Sequence, residues 1–237
     1  MKITTILFDL DGTLLPMDEE EFTKGYFGML SHKLEPRGYK PQELVKAIWA
    51  GTKAMVMNDG SRLNMEVFWE VFESIYGDRV KSDMQYFDDF YVNEFKCINK
   101  YCGFNEAAAE VIALSKKLGY RVVCATNPIF PAIATETRIR FAGLKPEDFE
   151  LYTTYENSSH CKPNPDYYRE ILNKTGCEPE ECLMVGNDAR EDMVATSLGM
   201  KGFLLTDCLI NKDNVDISQF ENGGFDKLIK YIRELNL

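Results

Sequence analysis

From residue 105 onward the sequence alternates short apolar runs with longer helical patterns, and this alternation constrains the fold most strongly. Apolar runs that predict buried strands occupy residues 121–125, 149–154, 182–185 and 202–205. Helical patterns cover residues 106–118, 130–141, 166–175, 192–198 and 225–235. Strands that alternate with helices predict a parallel sheet with helices on both faces. The polar stretch 207–224 is expected to be a surface loop.

An earlier part of the chain follows a different pattern. The apolar run Ile6-Leu7-Phe8 predicts a first strand, but apolar residues from 22 to 95 then recur at helical spacing in four segments. Their stripes are Phe22, Tyr26, Met29 and Leu30; Leu44, Ile48 and Trp49; Val67, Phe68, Val71, Phe72 and Ile75; and Tyr86, Phe87, Phe90, Tyr91 and Phe95. Four helical segments without a strand predict a small helical bundle inserted after the first strand.

The string Phe8-Asp9-Leu10-Asp11-Gly12-Thr13 ends the first predicted strand. Residues two apart point to the same side of an extended chain, so Asp9 and Asp11 are expected to lie close together. A hard divalent cation such as Mg²⁺ would offset their repulsion, and Gly12 lets the backbone approach a ligand closely. The pair favours an aspartate nucleophile beside an aspartate acid/base that act on a phosphoryl group. A D-x-D pair by itself more often marks a turn or a solvated cluster.

The whole six-residue string, placed after an apolar strand, resembles the first motif of the haloacid-dehalogenase-like (HAD) superfamily of aspartate-nucleophile phosphohydrolases. The resemblance extends over essentially the whole chain and implies three further motifs downstream, in order. It also implies a Rossmann-like three-layer α/β core with a mostly parallel sheet, formed by residues 1–15 and 105–237. Residues 16–104 would then be the inserted all-helical cap domain, a four-helix bundle of the C1 type found in subfamily I.

Two of the further motifs would contact phosphate. Thr126 and Asn127 follow the strand predicted at 121–125, where both can donate hydrogen bonds to a phosphoryl oxygen. An ordinary strand exit is the competing interpretation, since Asn-Pro is a turn signal. Lys162 lies in Cys161-Lys162-Pro163-Asn164-Pro165, where two prolines would stiffen the loop and fix the ammonium group. A lone lysine is more often a solvated surface charge.

The remaining motif follows the strand predicted at 182–185. Asp188 is expected to complete a Mg²⁺ site with Asp9 and with Asp11, the latter through its backbone carbonyl. Many members of the superfamily have Gly-Asp where this chain has Gly186-Asn187, so Asn187 is a second candidate for the third ligand. Asp192 would orient a ligand, a metal-bound water or Lys162, although helix capping explains an aspartate there equally well.

By resemblance, Asp9 attacks phosphorus to form an aspartyl-phosphate, and Asp11 first protonates the leaving oxygen and then activates water. Thr126, Asn127, Lys162 and Mg²⁺ would stabilise the developing charge. The expected substrate is a small phosphorylated metabolite. Loops of the cap would select it, and Arg62 in the loop 58–62 is a candidate contact for a second anionic group.

Other members of the superfamily and unrelated classes provide alternatives. The dehalogenases have no acid at the position of Asp11, which argues against carbon–halogen hydrolysis. The phosphonate-cleaving branch needs a lysine in the cap that forms a Schiff base, and no lysine here lies in a pattern typical of that role. A phosphomutase would use the same two aspartates and stays open, as does a non-catalytic phosphate-binding protein. The helical insertion argues against a response-regulator-like receiver.

Composition limits the possible partners. The net charge of −11 disfavours nucleic acid and anionic membranes, and no apolar run reaches the roughly 18 residues of a spanning helix. The seven cysteines form no C-x-x-C pair and no signal peptide is evident, so we expect a cytoplasmic protein with reduced thiols. Two histidines give little support for a histidine-based site. The chain is expected to be a monomer or a weak homodimer.

Overall fold

The sheet at the centre of the computed structural model, which describes residues 2–236, has six parallel strands in the order β3-β2-β1-β4-β5-β6. The strands are β1 Thr5–Phe8, β2 Arg121–Cys124, β3 Leu151–Tyr152, β4 Cys182–Gly186, β5 Lys201–Leu205 and β6 Glu221–Gly223. In the middle of the sheet Leu7 pairs with Val123 on one side and with Met184 on the other. The carboxyl ends of β1, β2 and β4 therefore lie next to one another.

Eight α-helices and several short 3₁₀ helices surround this sheet in the described part of the chain. The α-helices are α1 Glu19–Leu34, α2 Pro41–Val56, α3 Asn64–Tyr76, α4 Arg79–Val92, α5 Glu106–Lys117, α6 Ala132–Phe141, α7 Pro165–Thr175 and α8 Phe225–Glu234. The 3₁₀ helices are Glu35–Arg37, Phe95–Tyr101, Pro146–Asp148, Pro179–Glu181, Met193–Leu198 and Ile217–Gln219. None of the helices within 2–236 combines the length and apolar character needed to cross a bilayer.

The layers follow from the alternation of side chains along the strands. Ile6 and Phe8 of β1 face a core that α5 and α8 cover, whereas Leu7 faces the opposite core under α7. Both faces of the sheet are thus buried, which explains why its strands are continuous apolar runs. The predicted three-layer α/β fold with a parallel sheet is confirmed.

One local prediction was wrong. The stretch 207–224 is not only a loop, because Glu221–Gly223 adds the sixth strand at the edge of the sheet. A polar three-residue edge strand carries too little apolar pattern to be recognised. The helix predicted at 192–198 is present as a 3₁₀ helix over Met193–Leu198.

The helical insertion has a core of its own, rich in aromatic rings. Residues that form it include Phe22, Tyr26, Phe72, Phe87 and Phe90. Trp49 and Ile75, which the periodicity assigned to the same core, are instead half exposed. The four predicted helices are present as α1–α4, and the boundary of a separate cap domain at 16–104 stays a prediction.

A buried carboxylate ties the far end of the insertion together. Asp83 of α4 accepts hydrogen bonds from the Tyr39 hydroxyl at 3.0 Å, from Arg37 at 3.3 Å and from Arg79 at 3.1 Å. Burial alone would raise the pKa of Asp83, but these hydrogen bonds outweigh it and hold the pKa below the ordinary value. Asp83 is therefore ionised and stabilises this end of the insertion at neutral pH.

The insertion also contacts the α/β core through the start of α3. The Asn64 and Met65 backbone N–H groups donate to the carbonyls of Ser158 and Tyr155 at 2.8 and 2.9 Å. The Asn64 side chain, fully buried, donates to the carbonyl of Pro128 at 3.3 Å. These bonds hold the insertion over the carboxyl ends of the strands.

Candidate active site

Asp9 and Asp11 lie directly beyond the end of β1, in a turn that glycine makes possible. The Asp9 N–H still donates to the Val185 carbonyl at 2.9 Å, so the sheet fixes the backbone there. Gly12 has φ = +83°, which disfavours any residue with a Cβ. A Cβ at Gly12 would also overlap the side chain of Asn187. The first and the last predicted motifs therefore pack against each other.

Asp9 belongs to a buried ion triad. The Lys162 ammonium, 2% exposed, donates to Asp9 Oδ1 at 2.7 Å and to Asp192 Oδ1 at 2.6 Å. Burial alone would lower the pKa of Lys162, but the two carboxylates outweigh it and raise that pKa well above its usual value. Lys162 is therefore charged, and Asp192 holds it against Asp9.

Asp11 points to a partner that the sequence did not reveal. Its Oδ2 forms an ion pair with Arg138 of α6 and accepts a hydrogen bond from Thr126 Oγ1 at 3.4 Å. Its Oδ1 is buried and has no hydrogen-bond partner within residues 2–236. Burial raises the pKa of Asp11, although the Arg138 charge opposes this shift. The group is thus biased toward the protonated form that a general acid needs.

Arg138 itself is 1% exposed and stacks over the ring of Phe130, with 4.6 Å between the guanidinium carbon and the ring centre. It lies in a helix with mixed polar and apolar residues, where an arginine is expected to face solvent. No motif or spacing signals its burial. Its position follows from the tertiary packing of α6 between the sheet and the insertion.

Asn187 and Asp188 are held differently from each other. Asn187 Oδ1 accepts from Thr13 Oγ1 at 2.8 Å, and its Nδ2 donates to the Cys208 carbonyl at 2.8 Å. Asp188 Oδ1 accepts the backbone N–H groups of Arg190 and Glu191 at 2.7 and 2.8 Å. Asp188 Oδ2 accepts no hydrogen bond from the described residues. Asp188 therefore keeps one carboxylate oxygen available, whereas both ends of the Asn187 amide are engaged.

Thr126 and Asn127 leave β2 toward the same place. Asn127 Oδ1 accepts the Lys162 backbone N–H at 3.3 Å, and its Nδ2 donates to Glu191 at 3.2 Å. Glu191 was not singled out in the sequence, and burial raises its pKa to about 7 despite the opposing charge of Lys162. Asn127 thus connects the loop that carries Lys162 with the turn after β4.

A cavity of about 470 Å³ opens onto all of these groups. All eight site residues proposed from the sequence line it: Asp9, Asp11, Thr126, Asn127, Lys162, Asn187, Asp188 and Asp192. Arg62 does not line it but pairs with Glu70 at 2.6 Å on the surface of the insertion. The hypothesis that Arg62 contacts a second anionic group is therefore not supported.

The residues present fit a magnesium ion. Within residues 2–236 no three His, Cys, Asp or Glu side chains cluster as a metal site. A site with fewer side chains is nevertheless available, because Asp9 Oδ2, the Asp11 carbonyl and Asp188 Oδ2 accept no hydrogen bond from the described residues. These are the hard oxygen donors that Mg²⁺ prefers, completed by water and phosphate. Arg138 holds the Asp11 side chain through Oδ2, whereas the Asp11 carbonyl has no such partner.

Comparison with known proteins identifies the family. A sequence model described as haloacid dehalogenase-like hydrolase matches residues 3–196. The chain belongs to this family of hydrolases. The resemblance inferred from the four motifs is therefore confirmed.

Individual relatives of this haloacid dehalogenase-like hydrolase are more distant. Pyrophosphatase PpaX of Bacillus cereus (strain AH820) is 28% identical over 201 residues, which cover 85% of this chain and 82% of PpaX. The HAD phosphatase from Thermococcus onnurineus superposes with a TM-score of 0.60 at 16% identity, over 99% of this chain and 100% of that one. CbbY from Rhodobacter sphaeroides, solved in complex with phosphate, gives 0.58 at 18% identity over the same shares. The two solved structures share the fold of this chain.

Proposed function

We propose that this hydrolase is a Mg²⁺-dependent phosphatase that acts on a small phosphorylated metabolite through an aspartyl-phosphate. The observation that carries the proposal is the buried triad, in which Lys162 and Asp192 fix the Asp9 carboxylate at the end of the central strand. Asp11 lies two residues away on the same cavity. Relatives named pyrophosphatase and phosphatase support phosphorus chemistry.

In the first step, a carboxylate oxygen of Asp9 attacks phosphorus and the bond from phosphorus to the ester oxygen breaks. Asp11 transfers its proton to that oxygen, so the alcohol part of the substrate leaves as a neutral molecule while the phosphoryl group stays on Asp9. The raised pKa of Asp11 supports this role, because the acid must be protonated when the bond breaks. Arg138 positions the carboxyl group through its contact with Asp11 Oδ2.

In the second step, Asp11 is ionised and accepts a proton from water. The oxygen of that water attacks phosphorus, the Asp9–phosphorus bond breaks, and inorganic phosphate leaves. Arg138 favours the ionised form of Asp11 that this step requires. The same residue therefore serves as acid and then as base, and burial and Arg138 oppose each other in setting its pKa.

Three groups contact the transferred phosphoryl in this proposal. Lys162 lies against Asp9 and balances the charge that develops on the phosphoryl oxygens. Thr126 and Asn127 offer a hydroxyl and an amide from the end of β2. Asp9, the Asp11 carbonyl and Asp188 would hold Mg²⁺, which supplies further positive charge at the phosphoryl group when bound.

We also propose the division into a core (1–15 and 105–237) and a cap (16–104). The two connections between them pair with each other: the Gly103 N–H donates to the Pro16 carbonyl at 2.6 Å, and Met17 forms a bridge with Cys102. This paired two-chain connection would act as the hinge of a cap that closes over the site and excludes water. The aromatic core, which the insertion forms largely by itself, supports the same division.

Phosphate release from ethyl phosphate and p-nitrophenyl phosphate, with Mg²⁺ and with EDTA, tests the proposal. We expect release that requires the metal and that Asp9→Asn abolishes, with Asp226→Asn, an exposed aspartate of α8, as the matched control. Brief incubation with labelled phosphate ester followed by acid quenching should trap label on the wild-type protein only. Turnover that survives in Asp9→Asn would refute the assignment of the nucleophile.

A further inference from the structure

The side of the cavity that the strand ends do not form, called the apolar half below, consists mainly of hydrocarbon and aromatic side chains. They come from the insertion and from the loop before α6, and include Tyr26, Leu30, Ile48, Trp69, Phe87 and Phe130. The rings of Tyr26 and Phe130 meet edge to face with centres 5.3 Å apart. The hydroxyl of Tyr26 is already hydrogen bonded to that of Tyr91 at 2.8 Å. This half of the cavity therefore offers a mainly apolar surface, in which the buried Trp69 Nε1 is a donor without a hydrogen-bond partner within residues 2–236.

No unpaired cation lines the cavity within the described residues. Lys162 lies between Asp9 and Asp192, and Arg138 is paired with Asp11. The third cation, Lys212, is 79% exposed at the rim and lies 3.3 Å from Glu19.

Glu191, which is not a proposed Mg²⁺ ligand, adds a further carboxyl group to the same space. A second anionic group in the apolar half would lose its water shell without gaining a buried cation that is free to pair with it.

Resting on the proposed function, we infer that the substrate is a phosphate monoester of an uncharged, hydrocarbon-rich alcohol that carries a ring. The phosphoryl group would occupy the end of the cavity at Asp9. The ring of the alcohol would lie against Phe130 and Trp69, where aromatic edges and faces pack favourably. A substrate with a carboxylate or a second phosphate, including pyrophosphate, fits this cavity poorly.

The test compares esters of primary alcohols, so that the leaving groups are chemically matched. We expect kcat/KM for 2-phenylethyl phosphate to exceed that for ethyl phosphate by about tenfold or more, because the phenyl group becomes buried. Phosphoglycolate, also an ester of a primary alcohol, should be poorer than ethyl phosphate. Equal values for the phenylethyl and ethyl esters, or a preference for phosphoglycolate, would overturn the inference.

A charge placed in the apolar half provides a second measurement. Thr52 of α2 lines the cavity, and Thr52→Lys should lower kcat/KM for 2-phenylethyl phosphate by about tenfold while it raises the relative rate with phosphoglycolate. Met57, at the end of the same helix, is exposed and does not line the cavity, so Met57→Lys is the matched control. If Thr52→Lys and Met57→Lys change kcat/KM for the two substrates alike, the cavity does not select the alcohol.

Ligand binding separates this inference from the proposed function. The two tryptophans of the chain, Trp49 and Trp69, both line the cavity, so their emission reports on its occupancy. With Asp9→Asn protein and Mg²⁺, 2-phenylethyl phosphate should change the emission at a lower concentration than ethyl phosphate does. If the phenylethyl ester binds more tightly but the wild-type protein releases no phosphate, the phosphatase proposal is refuted and the preference for a ring-bearing ligand is retained. If phosphate is released equally well from both esters, the phosphatase proposal is retained and the inferred substrate class is refuted. If there is neither binding nor turnover, both are refuted.

Discussion

Replacing Lys162 by Met should destabilise the protein strongly, because it leaves two carboxylates buried without their shared partner. Removal of one member of a buried ion pair costs about 3–5 kcal/mol. Asp9 and Asp192 are both nearly inaccessible to solvent, so this range applies. Each kcal/mol lowers the melting temperature of a chain this long by about 2–4 °C, which gives a fall of about 6–20 °C. Circular dichroism during thermal unfolding in EDTA measures this fall in melting temperature without bound metal.

A double variant separates the structural role of Lys162 from its catalytic role. Asp192→Asn in the Lys162→Met background removes one buried charge. It also keeps an acceptor for the Asp188 N–H, which lies 2.9 Å from Asp192 Oδ2 in the wild-type structure. About half of the lost stability should return, whereas phosphatase activity should not, since the phosphoryl group still lacks its ammonium partner. Recovery of both together would show that Lys162 acts only by keeping the site folded.

An exposed lysine provides the control. Lys116 of α5 pairs with Asp148 at 2.8 Å, almost the distance of the Lys162–Asp9 contact, but both of its groups are solvated. Lys116→Met should therefore change the free energy of unfolding by less than about 1 kcal/mol. If Lys162→Met costs no more than this, the argument from burial is wrong.

Three further variants test other parts of the structure. Asp83→Asn should lower the stability of the insertion at neutral pH, because the folded protein holds the pKa of Asp83 below its ordinary value. That loss of stability should persist down to about pH 4 and shrink only below pH 4, where the wild-type carboxylate becomes protonated. Melting curves of both proteins from pH 7 to 3 measure it. A difference in melting temperature that stays constant over this range would contradict the reasoning. Arg138→Leu should lower kcat by about two orders of magnitude with little change in KM, since Asp11 loses the group that positions it. A higher kcat would show instead that the ion pair with Arg138 hinders the reaction of Asp11. Gly12→Ala should destabilise the protein by more than the roughly 1–2 kcal/mol of a left-handed alanine, because its Cβ meets Asn187. Gly119→Ala, with the same sign of φ and open space around its Cβ, measures the backbone contribution alone, and equal losses in urea unfolding would refute the predicted clash.

Much of the site could be predicted because it depends on strand ends. Asp9, Thr126 and Asp188 are far apart in sequence, but each closely follows an apolar run that forms a strand. The strands β1, β2 and β4 are neighbours in a parallel sheet, so their carboxyl ends converge at one edge. The pattern of buried strands was therefore enough to bring these side chains together, without any knowledge of the loops.

Arg138 and Glu191 show where this reasoning stops. Neither comes directly after the end of a strand, and each is a charged residue that tertiary packing at least partly buries, Arg138 in α6 and Glu191 in the turn after β4. Local periodicity treats such residues as solvated, because a lone buried charge would be too costly. The cost is offset here by specific partners, Asp11 for Arg138 and Asn127 for Glu191, which sequence spacing does not identify.

The charged half and the apolar half of the cavity have different roles. The half at the strand ends holds charges in compensated groups, since Lys162 and Arg138 each neutralise a carboxylate of the proposed mechanism. Because every buried cation is used in this way, none is left for the alcohol of the substrate. Selectivity must then come from the shape and apolar surface of the other half. A change of substrate in this chain therefore requires changes in the insertion, such as Thr52→Lys, rather than in the eight residues at the sheet.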